Sequence, residues 1–483
     1  MTNNKFTYCN PLAIPDVPRG HYDIDKGDFV REYRCISDAT VFYDEGVWYM
    51  YTTSSDKVYY TKDFINWQSH KLANELIGSA PAITKFRGKY YFSLNIEGFP
   101  LYVSDSPLGE FKCLGPVKTV SGEQVEIVDM AFFADDDNGL YVYWGCGTEE
   151  IYAAKLNSDN PTLVDGEIKT VIKFDNSNVW ERQGAYNHGL YRGWTEGAHL
   201  YKNGDKYYLI YSSAGTEFTS YAMGVYVGDN PMGPFKYQDK NPLIRGTEGI
   251  VHGCGHGSVV DGPDNTIWIF YTSIISCFHK FERVVGMDRA HIDNEGNLVC
   301  GAPSSFPRFA PSCGENAGKD AGFLPLTAEE FPIVSSCLLG SEPIYITDQN
   351  PKSWWCPEFT DKNPEVKIIL GNVYEVASAR IIWKEVGLDY KKGITPKPVS
   401  YTIEGITKDG ERVMLFDNSA NDTDMYIDYR ELPKIACKEI ILKFKKPEDY
   451  TLGITDFTVF GAAKEGLGDS TPTDYSPNYY SFK

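Results

Sequence analysis

The chain lacks a long apolar run, a cysteine framework and a surplus of basic charge. No window approaches the roughly eighteen apolar residues of a membrane-spanning helix, so no membrane partner is expected. Eleven cysteines (Cys9, Cys35, Cys113, Cys146, Cys254, Cys277, Cys300, Cys313, Cys337, Cys356 and Cys437) fall at irregular intervals, odd in number and without a Cys-x-x-Cys pair. That pattern suggests neither a disulfide scaffold nor a zinc site, and free thiols fit a reducing compartment. The first residues, Met1 to Pro11, hold no apolar stretch of signal-peptide length, so a cytoplasmic location is expected. With 46 Lys and Arg against 66 Asp and Glu, the net charge of −20 repels phosphate backbones and argues against a nucleic-acid partner. No long segment keeps a helical period.

What is present is aromatic and repetitive. Tyrosine (34) and tryptophan (9) combine with 44 glycines, favouring short strands and tight turns. Five aromatic-rich strands end in Ser, Thr, Asn or Gly: 46–54, 88–95, 139–145, 205–213 and 266–273. Upstream of each stands Asp38, Ala80, Asp129, Glu196 or His256, opening an apolar run. The openers are spaced by 42, 49, 67 and 60 residues; the first two spacings suit one four-stranded blade, and the longer ones imply loop insertions. Five such repeats predict an all-β, five-bladed propeller over 1–310, with its openers on one axis.

A stretch rich in Gly, Pro and Ser, 311–335, reads as a linker. Beyond it, apolar alternation at 364–370, 378–383, 400–404, 439–444 and 454–460 predicts a β-sandwich (jelly-roll) domain over 336–463. The polar segment 464–483 reads as a tail.

Asp38, Asp129 and Glu196 each begin a strand that will be buried, and an unpaired buried charge is costly. One alone would be an ordinary turn or cap carboxylate; three in register across the repeats call for a shared purpose. Glycosidic cleavage needs a carboxylic acid to protonate the leaving oxygen and an opposed carboxylate to activate water or attack. A third carboxylate beside the acid supplies the field that keeps it protonated near neutral pH. His256 reads either as a satisfied core histidine or as an axial ligand. Arg283 reads as a clamp on sugar hydroxyls or a carboxylate, or as a surface ion pair. His188 and Trp194, on the loop before Glu196, either shape a substrate pocket or pack that loop.

In these motifs the chain resembles glycoside hydrolase family 43 over about residues 8–305. Ser37-Asp38-Ala39 resembles the family's base motif, Val128-Asp129-Met130 its pKa-modulator motif, and Glu196-Gly197-Ala198-His199 its acid motif. Alanine stands where proline is usual in the first and third. Gly255-His256-Gly257-Ser258 resembles the family motif whose histidine often serves a central calcium or water site, and Arg283 matches an arginine that reaches the sugar. The resemblance implies an inverting α-L-arabinofuranosidase acting on arabinoxylan- or arabinan-derived oligosaccharides. β-D-Xylosidase or dual activity is the alternative, and a non-catalytic carbohydrate-binding propeller is the rival from another class. It further implies calcium as cofactor, with His256 toward it. The carboxyl-terminal segments Ser353-Trp-Trp-Cys356, Ala379-Arg-Ile-Ile-Trp383 and Phe457-Thr-Val-Phe-Gly461 resemble the discoidin (factor V/VIII C-type) sandwich, whose role would be packing or carbohydrate binding.

Overall fold

A computed structural model describes residues 6–20, 22–23, 28–29, 33–147, 150–275 and 279–463. The chain divides into two compact units, Pro18–Pro303 and a second formed by Met1–Val17 together with Ser304–Lys483.

The first unit is the five-bladed propeller. Blade one comprises Thr40–Asp44, Val47–Tyr51, Lys57–Thr61 and Gln68–Lys71, paired in sequence order. Blade two runs through Ser79–Phe86, Lys89–Asn95, Pro100–Ser104 and Lys112–Pro116, and blade three through Ala131–Ala134, Leu140–Trp144, Glu150–Leu156 and Lys169–Lys173. Thr195–Asn203, Lys206–Ser213, Ala222–Gly228 and Phe235–Tyr237 form blade four; Gly255–Asp261, Ile267–Ile274, Arg283–Ile292 and Leu298–Cys300 form blade five. Each innermost strand adjoins the next, and that of blade five returns to that of blade one, so the ring closes.

Every blade is one contiguous segment, so side chains, with a backbone bond from Ile36 N to the Arg283 carbonyl at 2.9 Å, close the fifth blade onto the first. Phe64 meets Trp48, Trp268 and Phe270 edge-on at centroid distances of 5.1, 6.1 and 5.0 Å. Such pairs are worth about 0.5–1.5 kcal/mol each beyond the area they bury. Trp48 Nε1 donates to the Asp261 carbonyl at 3.0 Å, and Ser258 Oγ bridges Val41 N and the Ala39 carbonyl.

The polar residues ending the second strands stitch neighbouring blades together. Thr272 Oγ1 accepts from Asp38 N, Thr53 Oγ1 from Ala80 N, Asn95 Oδ1 from Asp129 N and Ser212 Oγ from His256 N, at 2.8–3.0 Å. The residues that donate carry left-handed backbones, with φ of 52° at Asp38, 46° at Ala80, 51° at Asp129 and 38° at His256. In blade four the left-handed residue is Gly197 (φ 62°), not Glu196. Glu196 pairs with Ser212 as Ser79 pairs with Asn95 and Gly255 with Thr272. The expected register is therefore off by one in that blade, and Glu196 enters from the preceding position.

The second unit carries a sheet organised around the 22-residue strand Glu365–Val386, and is consistent with a β-sandwich. This strand pairs with Ala436–Phe444 in its first half and Thr451–Ala463 in its second, with a register break between Ile369 and Tyr374. Trp355, Trp383, Ile440, Phe444 and Phe457 lie in the core. The expected linker contributes short strands to this sheet, Leu324–Pro325 and Ile333–Val334. Residues at the amino terminus also belong here. Thr7–Tyr8 pairs with Arg308–Phe309, and the Phe6 and Thr7 amides donate to Glu431 Oε1 at 2.8 and 2.7 Å. Arg380, fully buried, pairs with Asp456 at 2.9 Å and donates to the carbonyls of Asn10 and Ser305 at 2.9 and 2.8 Å. The expected tail, 464–483, lies outside the described residues, as does Cys277. The other ten cysteines are free. Among the described residues no helix is long and apolar enough to cross a membrane.

Candidate active site

The strand starts of blades one, three, four and five bring Asp38, Asp129, Glu196 and His256 to one buried cluster. Asp38, Asp129 and Glu196 are 4%, 6% and 4% exposed, so each charge needs named partners. His256 Nδ1 lies 3.7 Å from Asp38 Oδ1 and 4.0 Å from Asp129 Oδ2, between the two aspartates. Gly197 makes room for that ring: a Cβ there would sit 2.8 Å from His256 Cγ.

Asp38 is surrounded by donors. Arg283 Nη1 reaches Oδ1 at 3.1 Å and Thr272 Oγ1 reaches it at 3.3 Å, while Thr53 and Ser37 hydroxyls donate to Oδ2. Burial pushes this carboxyl up, but Arg283 first, then His256 and the hydroxyls, outweigh it and hold the group below its ordinary value. Arg283 is itself buried, at the start of blade five's third strand, with Nη1 also donating to Thr216 Oγ1 at 2.8 Å. It is a clamp on a carboxylate, not a surface ion pair.

Asp129 is the opposite case. Burial pushes it up to about 6, with the Glu196 charge adding to the rise and His256 and Asn95 opposing it. Asp129, Cys146 and Glu196 offer ligand atoms within 4.8 Å of one another. Burial and the nearby negative charge thus favour the protonated form of Asp129, the reverse of the setting at Asp38. Glu196 takes three donors: Trp194 Nε1 at 2.6 Å and Cys146 Sγ at 3.2 Å on Oε2, and Tyr221 OH at 2.5 Å on Oε1. Burial and both neighbouring carboxylates push the Cys146 thiol far up, so it acts as a neutral donor.

Of the expected loop residues, Trp194 reaches the cluster through Glu196. His188 does not; it is exposed, with its ring against Gly184. The sequence reading missed Cys146, Tyr221, Asn95, Thr53 and Thr272. For the last three a signal existed, since each ends one of the aromatic strands. Cys146 follows the strand whose last residue is Gly145, where no side chain is available to serve the next blade. Nothing local marked Tyr221.

A cavity of about 150 Å³ is lined by the innermost strands, including Thr40, Thr84, His199, His256 and Gly257. No carboxylate lines it. Burial lowers His199 to about 4, so that ring is neutral, and it bonds the Val259 carbonyl at 3.0 Å. Calcium takes six to eight oxygen ligands. The side chains here suit only an ion that keeps its water shell.

A family model described as "Glycosyl hydrolases family 43" matches residues 34–298. Among solved structures, a thermostable family-43 glycoside hydrolase is 22% identical, with a TM-score of 0.50, covering 63% of this chain and 99% of its own. A xylan β-1,4-xylosidase from Bacillus halodurans is 12% identical (TM-score 0.47; 94% and 100% covered). An α-L-arabinofuranosidase from Clostridium thermocellum is 19% identical (TM-score 0.41; 56% and 95% covered). At 22% identity and a TM-score of 0.50, the first of these likenesses bears on the fold alone.

Proposed function

The chain belongs to glycoside hydrolase family 43, and from that premise we propose an inverting exo-α-L-arabinofuranosidase acting on short arabinoxylan- or arabinan-derived oligosaccharides. The observation that carries an acid–base reading is the opposite setting of neighbouring carboxylates. Arg283 and His256 hold Asp38 below its ordinary value, while burial and the neighbouring Glu196 charge raise Asp129. A non-catalytic propeller has no use for that contrast.

In this reading Asp38 is the general base. It takes a proton from water as the water oxygen attacks the anomeric carbon on the face opposite the leaving group. Glu196 gives its proton to the glycosidic oxygen, and the bond electrons leave with that oxygen. Asp129 holds the negative charge that favours the protonated acid, and His256 keeps both aspartates in place. Arg283 holds Asp38, and its reach to a sugar hydroxyl is taken from the family resemblance. Trp194 orients Glu196. His188, remote from the carboxylates in its contacts, is left to a role in the loop.

The pentose identity follows from family resemblance, and β-D-xyloside is the comparator. Calcium, proposed for the cavity beside His256, would be held through water and would stiffen the ring; no proton transfer is routed through it. A cytoplasmic location, supported by the free thiols, fits short imported oligosaccharides better than polymer. Initial rates on aryl α-L-arabinofuranoside and aryl β-D-xyloside test the proposal. Faster arabinofuranoside cleavage with an inverted anomer by NMR is expected. Preference for the xyloside would replace the sugar assignment, a retained anomer would overturn the inverting assignment, and no cleavage of either would favour the binding-module rival.

A further inference from the structure

The two oxygens of Glu196 are unequally engaged. Oε2 accepts from Trp194 Nε1 and Cys146 Sγ, whereas among the described residues Oε1 accepts from Tyr221 OH alone. A carboxylate oxygen offers two lone pairs, so Oε2 is filled when the Cys146 thiol, which also faces Asp129, donates to it, while among the described residues Oε1 keeps one free. Tyr221 is fully buried, and its place is built into the blade packing. A Cβ on Gly255 would stand 2.2 Å from the Tyr221 ring, so only glycine before His256 admits it.

We propose that Trp194 and Cys146, by engaging Oε2, leave Oε1 as the proton-carrying oxygen of Glu196, and that Tyr221 is a positioning residue that holds Oε1 in place and then stabilises the carboxylate left behind. The inference rests on Glu196 as the acid. The O–H bond on Oε1 breaks as the new O–H bond to the glycosidic oxygen forms, and the C–O bond electrons pass to that oxygen. The Tyr221 proton stays on Tyr221 throughout. Burial and the Glu196 charge push its phenol well above the ordinary range, which keeps it a donor. Because Tyr221, Trp194 and Cys146 already face Glu196, the carboxylate formed at the transition state meets preorganised donors and no reorganisation is needed. Trp194 and Cys146 share Oε2, so either compensates in part for loss of the other. Among the described residues Tyr221 has no such partner on Oε1.

The test compares Tyr221→Phe, Trp194→Phe and Glu196→Gln on a substrate with a sugar leaving group and on an activated aryl glycoside. A hydrogen bond to a charged group corresponds to about a 10- to 100-fold effect. Tyr221→Phe should lose about that factor in kcat/KM on the sugar substrate, little on the aryl one, with its alkaline limb moved to higher pH. Trp194→Phe should lose less, because Cys146 still serves Oε2; a larger loss there than in Tyr221→Phe overturns the assignment of Oε1. Equal losses on both substrates in folded Tyr221→Phe, with an unmoved pH profile, would show a merely structural role. A leaving-group split in Glu196→Gln but none in Tyr221→Phe overturns this inference alone. No split in Glu196→Gln overturns the acid assignment and this inference with it.

Discussion

Arg283→Met takes away the cation that keeps Asp38 ionised while leaving the apolar stem. Arg283 and Asp38 side chains are 4% and 5% exposed, and the guanidinium lies 3.1 Å from Oδ1, so solvent screens little of the interaction. Removing one partner of a buried pair costs about 3–5 kcal/mol, because the other charge is left without compensation. Asp38 can escape that cost by protonating. With Arg283 gone, burial, the largest influence on Asp38, is opposed by His256 and the Thr53, Ser37 and Thr272 hydroxyls. The Asp38 carboxyl should therefore rise, and with it the acidic limb of the rate profile. The stability change has a definite sign. A depressed carboxyl contributes stability that is fully present above its unfolded value, about 3.9, and lost as pH falls through the folded value. The variant should thus be destabilised most near neutrality, with the gap to wild type closing only in acid. Rates on an activated aryl glycoside over about pH 4–9 report the base alone, because that leaving group needs little protonation. Urea unfolding at several pH values reads the stability. A folded Arg283→Met enzyme with an unmoved acidic limb would refute the claim that Arg283 sets the charge of Asp38.

Asp129→Asn removes a carboxyl raised to about 6, so ionised Asp129 destabilises the fold above that pH, by up to roughly 3 kcal/mol at 1.36 kcal/mol per pH unit. The variant's gain in stability over wild type should grow as pH rises from about 4 to about 6 and stay constant above, while the alkaline limb of its rate profile moves down; a gain that is absent at pH 7 would contradict the linkage. Gly197→Ala puts a Cβ 2.8 Å from the His256 ring at a φ of 62°, so a melting point lowered by about 1–3 kcal/mol worth of strain is expected, together with a fall in kcat. Wild-type stability and full activity in that variant would mean His256 has slack to move. Chelation should lower the melting temperature, and added calcium should restore it, with the acid and base limbs unmoved; no thermal response argues against an ion in the cavity beside His256.

Blade number, the sandwich and the three carboxylates were legible in one dimension, because each rests on local pattern. Period-two apolar runs bounded by glycine turns mark strands wherever they pack, and five openers followed by five aromatic strands mark five equivalent units. A carboxylate at the head of a strand about to be buried announces itself through its desolvation cost. The long gap before Glu196 likewise signalled an inserted loop, and that loop delivers Trp194. Other features exist only once the ring has closed. Glu196 shares the carboxylate character of Asp38 and Asp129 but sits one residue earlier in its strand, which backbone pairing reveals and residue type does not. Tyr221 and Cys146 meet Glu196 from 25 and 50 residues away. Arg283 meets Asp38 across 245 residues, and that contact turns an ambiguous arginine into the partner of the base. The first residues of the chain pair with the second unit because Glu431 and Arg380 satisfy their backbone groups, partners no local pattern names. Composition and periodicity select which side chains must be buried. Which oxygen, charge and donor they then face is decided by the strand register and the closing of the blades around one axis.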